Sequence, residues 1–212
     1  MKYRLENPRL SGNIYWALLL RLVLVMVLYT LSRIGFYVYN LSFFPDMTLG
    51  TFLMLMWGGL QFDLTAILYI NSLYILLMIL PFDFRFRYGY QEVLKYIFFI
   101  TNALALATNV ADFIYYKFTL RRTSADILRQ FENEQNVGEL FFRFLIDYWY
   151  AAAFWIFLVV VMVKVYNRIQ IWGPQMKSRT MYYSSGFFAL PLITFFIIAA
   201  IRGGFRHSTR PI

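Results

Sequence analysis

The sequence contains no cysteine and only one histidine, His207. Without cysteine there are no disulfides and no thiolate metal sites, and nothing in the sequence indicates a redox compartment. A lone histidine with no ligand partner near it in sequence argues against a metal site built on this chain. Acidic residues are scarce too: 11 Asp and Glu stand against 20 Lys and Arg, for a formal charge of +9. Charged residues make up only 15% of the chain, well below the share of about a quarter in soluble domains. There is no glycine-rich phosphate loop, HExxH or nucleophile elbow, so no catalytic residue is assigned. No internal repeat, heptad seam or low-complexity segment stands out.

What fills the chain is apolar. Hydrophobic residues are 60% of it and aromatic residues 21%, including 17 Tyr and 23 Phe. That composition belongs to a membrane protein whose many helix ends meet an interface rich in aromatic rings. A basic protein often binds nucleic acid. Here the basic residues lie between apolar runs instead of forming one face, which speaks against nucleic acid and for anionic phospholipid as the partner.

The expected fold is all-α: a polytopic bundle of five transmembrane helices with short interfacial helices, in one domain over 1–201. The apolar runs place the spans at about 13–39, 62–80, 93–116, 144–165 and 182–201. The first run is too long for a signal peptide and has no cleavage site, so it is read as uncleaved. Arg21 lies within it, either snorkelling to the inner interface or pairing with an acid on a neighbouring helix, with snorkelling favoured. Ser32 to Asp46, holding Arg33 and Pro45, is expected as a connection. The long run from Met47 to Pro81 permits one tilted helix, or an interfacial or re-entrant piece over 48–60 that breaks at Gly58-Gly59 before a span over 62–80. The broken form is favoured. Asp63 then lies near the outer boundary, where it joins Asp112; in the unbroken form it needs a partner such as Arg21. Pro81 ends the run, and 82–95 is expected as an aromatic-basic loop. Asn102 and Asn109 share a helix face, with Asp112 nearby, and that face should turn into the bundle. Ser124 is expected to cap a short surface helix, and Pro191 to kink the fifth span. The two sets of loops carry nearly equal numbers of Lys and Arg, so the basic start of the first span decides orientation: N-terminus cytoplasmic, C-terminus outside.

The stretch 109–122 carries the candidate site. It brings an acid, Asp112, to a depth where charge is costly, then Tyr115 and Tyr116 at the boundary, then Lys117, Arg121 and Arg122. Either it is an ordinary interfacial helix end, or its cations meet an anionic headgroup. Asp63, Asp112, Arg121, Arg122 and Arg202 are the headgroup candidates, since arginine binds phosphate through paired N–H donors. Asp63 and Asp112 either accept from the headgroup or neutralise nearby arginines.

The acid, two tyrosines and basic patch after the third span are joined by Gly59-Leu60-Gln61-Phe62-Asp63 at the second and by Arg202-Gly203-Gly204-Phe205 with Arg210-Pro211-Ile212 after the fifth. This layout resembles the membrane region of lipoteichoic acid synthase-like proteins, in the sulfatase or alkaline phosphatase superfamily of bacterial phosphoglycerol and phosphoethanolamine transferases. The resemblance covers nearly all of the chain. It implies a multi-pass protein of the bacterial cytoplasmic (inner) membrane, with 202–212 opening an extracytoplasmic linker. It further implies an extracellular sulfatase-like catalytic domain, in the same or a separate chain, using a divalent metal such as manganese. No catalytic residue, metal ligand or cofactor is carried over onto this chain. The expected role is membrane anchor and lipid-docking module of a phospholipid-dependent transferase. A small self-contained transporter and a membrane scaffold are the alternatives.

Overall fold

The structure is a computed structural model that describes residues 10–120, 146–171 and 179–202. The described chain is mostly helical. Its elements are β1 (Leu10–Gly12), α1 (Ile14–Tyr39), α2 (Leu49–Ile70), α3 (Ser72–Ile79), α4 (Tyr88–Thr119), α5 (Trp149–Arg168), β2 (Ile169–Ile171) and α6 (Arg179–Arg202). Of these, α1, α2, α4 and α5 are long and apolar enough to cross a membrane. The expected cap at Ser124, the residues Arg121 and Arg122, and the linker over 203–212 lie outside the described residues.

Helix α1 starts where Asn13 accepts a hydrogen bond from Trp16 N at 2.8 Å, a side-chain cap on an orphan donor. Ala17, Arg21, Leu24, Leu28 and Ser32 are buried at helical spacing, while Trp16, Leu19, Val23, Val27 and Leu31 are exposed. A helix apolar on both faces suits a bundle interior on one side and lipid on the other. Helix α1 is the central element and packs against α2, α3, α4 and α5, while α6 packs on α2 and α3.

Contacts fix the alternation of the helices. At one end, the strand end, β1 pairs in parallel with β2, with Leu10 opposite Ile169. Arg85, in the 3-10 turn Asp83–Phe86, lies over the Tyr15 ring at 5.7 Å. Tyr183 of α6 donates to Asp83 at 2.9 Å. At the other end, the aromatic end, Tyr37 meets Phe52 at 4.8 Å, Phe36 meets Phe113, and Tyr39 meets Tyr150 at 5.6 Å. Helices α1, α4 and α5 therefore join the two ends, as do α2 and α3 in series as one leg, while α6 starts at the strand end.

Several expectations change. Arg33 is not in a connection; it lies inside α1, which runs on to Tyr39. Helix α2 passes through Gly58 and Gly59 without a break, so 48–60 is not a separate piece. The discontinuity falls at Asn71 instead, between α2 and α3. There the side chain donates to Ile67 O at 3.0 Å, competing with the backbone ladder. Helix α4 begins at Tyr88, well inside the expected loop. The short β1–β2 pair was not expected, because three-residue strands leave too little alternation to read. Pro191 lies inside α6, which remains helical on both sides of it.

Candidate functional site

Three polar clusters are buried among apolar helices. The first joins α1 to α2. Arg33 Nη2 donates to Asp63 Oδ1 at 2.5 Å and to Gly59 O at 2.9 Å. Gly59 and Asp63 are four apart, so both face α1. A methyl group at Gly59 would sit 1.8 Å from Arg33 Nη1 and 2.1 Å from Cζ. This glycine is therefore a passage for the guanidinium rather than a flexible break. Asp63 thus has Arg33, not Arg21, as its ion-pair partner. Sequence reading missed Arg33 because it was assigned to a connection. The signal that identifies it is the four-residue spacing of a glycine and an acid on the facing helix.

The second cluster is a clasp across the α2–α3 discontinuity. Asn71 Nδ2 donates to Asn102 Oδ1 at 3.0 Å, and Asn102 Nδ2 donates back to Asn71 Oδ1 at 2.8 Å. Asn102 also donates to Phe98 O at 2.8 Å. Both are fully buried. Of the inward face expected for Asn102 and Asn109 with Asp112 nearby, Asn102 is fully buried and Asp112 is 6% exposed, whereas Asn109 is half-buried.

The third cluster surrounds Arg21, which is 4% exposed. Among the described residues it pairs with no acid; protein encloses its guanidinium, which reaches toward the strand end. Its Nη1 donates to the Tyr74 hydroxyl at 2.9 Å, with Met78 Sδ at 4.0 Å, and its Nη2 donates to Ile169 O at 3.2 Å. The guanidinium stacks over Tyr166 at 3.9 Å. Tyr74 and Tyr166 were not singled out in the sequence, since tyrosine is abundant throughout it.

The aromatic end presents a belt. Tyr116 packs edge-on to Phe36 at 5.1 Å and stacks on Phe44 at 5.9 Å. Lys117 lies over the Tyr39 ring at 4.0 Å, and the Tyr39 and Tyr150 hydroxyls are hydrogen-bonded. Asn40 Nδ2 donates to Phe113 O at 3.2 Å, fastening the end of α1 beside Asp112. Helix α4 stops as Leu120 turns left-handed, with φ of 54° and its N–H on Tyr116 O. Arg121 and Arg122 follow it in sequence, outside the described residues, and Arg202 is the last residue of α6. The five headgroup candidates are thus not all seen together: Asp63 is held by Arg33, and Asp112 is buried in α4. Among the described residues no group of His, Asp or Glu is arranged to hold a metal ion. Comparison with protein-family models, curated proteins and solved structures finds no match to this chain.

Proposed function

We propose that the chain is the membrane anchor and lipid-docking module of a phospholipid-dependent phosphoglycerol or phosphoethanolamine transferase. In this reading α6 is a fifth span, the strand end is cytoplasmic and the aromatic end lies outside, in a bacterial inner membrane of the cell envelope. The catalytic unit, sulfatase-like and metal-dependent, belongs to a further domain or a separate chain. The observation that carries the reading is the cation on an aromatic belt at one end, Lys117 over Tyr39 beside Tyr116 and Tyr150. Tyrosine rings favour the headgroup level, and cations there attract anionic lipid. Arg121 and Arg122 extend that charge along the sequence.

The test replaces Arg121 and Arg122 by Ala at the native locus. Loss of phospho-alcohol transfer at normal protein level is the expected result. Unchanged transfer removes docking and leaves an anchor. A second reading, a self-contained transporter, is favoured by the Arg33–Asp63 pair at membrane depth. The mutual bonding of Asn71 and Asn102 removes those two residues from any pathway. Absence of ion flux in liposomes holding the chain alone would dismiss this reading.

A further inference from the structure

The Arg21 cluster holds more donors than acceptors. The guanidinium brings a full fork of N–H groups and no acceptor. Its acceptors are the Tyr74 oxygen, the Ile169 carbonyl and a thioether at 4.0 Å, a weak acceptor. Its Nε is buried without a partner. The Tyr74 and Tyr166 hydroxyls are 3.5 Å apart, and either one donates to the other. Whichever does, the remaining hydroxyl hydrogen has no acceptor among the described residues. The cluster also carries a whole positive charge. Among the described residues no carboxylate lies within ion-pair distance of Arg21, and Glu92 is paired with Lys95 at 3.4 Å. A buried charge without a counter-charge is costly, and convergent donors without acceptors add to that cost. An oxyanion removes both costs at once.

The position suits such a ligand. Arg21 is seven residues from the start of α1, about 10 Å from the strand end at the helical rise. What covers it there is the β1–β2 pair, whose own Ile169 carbonyl occupies the guanidinium. Two strands of three residues are a weak cover. We propose that Arg21, Tyr74 and Tyr166 form a binding site for a phosphate-type oxyanion, closed at the strand end by the β1–β2 pair. On entry the anion takes the place of the Ile169 carbonyl on Nη2 and accepts from Nε and the spare hydroxyl. This site lies at the opposite end from the docking surface and does not depend on it.

The experiment uses the full chain in phosphatidylcholine nanodiscs, with thermal unfolding followed at constant ionic strength. One arm titrates inorganic phosphate, and the other incorporates phosphatidic acid at increasing mole fraction. A saturable rise in Tm with inorganic phosphate assigns a soluble oxyanion; a rise only with phosphatidic acid assigns a lipid headgroup. In either case Arg21→Gln abolishes the rise. Tyr166→Phe keeps the ring under Arg21 and removes one donor, so it moves the midpoint roughly tenfold to higher concentration. No saturable response to either probe overturns the proposal, as does an unchanged midpoint in Arg21→Gln. If Arg21→Gln fails to fold, an unchanged midpoint in Tyr166→Phe overturns it.

Discussion

Two adjacent glycines on α2 give a direct test of the α1–α2 ion pair. A Cβ on Gly58 meets nothing within 4 Å, whereas one on Gly59 lands within 1.8 Å of Arg33 Nη1. Gly58→Ala should therefore show helix propensity alone, a gain of up to about 1 kcal/mol. Gly59→Ala gains the same propensity but expels the guanidinium. That costs the bond to Gly59 O and the pair with Asp63, whose side chains are each 13% exposed. Separating a largely buried pair costs about 3–5 kcal/mol. Taking about 4 and subtracting about 1 for propensity leaves a net loss near 3 kcal/mol for Gly59→Ala. The assay is reversible unfolding in mixed micelles under a denaturing detergent titration, with the two variants side by side. Asp63→Asn added to Gly59→Ala should cost little more, because the pair is already broken. Equal stability of the two alanine variants, or full additivity with Asp63→Asn, would refute the passage role of Gly59.

Two more expectations concern the helix joints. Asn71→Leu and Asn102→Leu should each destabilise by about 1–2 kcal/mol in the same assay, since each strands a buried amide, while the double substitution recovers most of that loss. Leu120→Gly should stabilise by about 1 kcal/mol, because glycine adopts the left-handed conformation at the end of α4 without the Cβ penalty.

Legibility followed the physics of each signal. Long apolar runs are unambiguous, so helices occupy the first, third and fourth runs, although α4 starts at Tyr88 before the expected 93 and α5 at Trp149 after the expected 144. The α2 region was misread because glycine carries two meanings in a helix, weak backbone and close approach, and only the facing Arg33 decides between them. Asn71 offered a better clue, since a short amide that bonds its own turn disrupts the ladder. The inward face read from the seven-residue spacing of Asn102 and Asn109 holds for Asn102 and the nearby Asp112, while Asn109 is only half-buried. The Arg21 cluster was not, because Tyr74, Tyr166 and Ile169 are brought to it from three separate elements.

The parallel pairing of β1 with β2 also sets an order of assembly. Leu10–Gly12 is made first but finds its partner only after Ile169–Ile171 leaves the ribosome. Arg21 must enter the bilayer long before the carbonyl that receives it exists, since 148 positions separate the two. Until then the cation of the first helix has at most the Tyr74 hydroxyl to receive it and favours the interface. The first helix should accordingly remain loosely seated during synthesis, and its final depth is set by the arrival of α5. Truncation before Ile169 should leave α1 shallower and more readily extracted than in the completed chain.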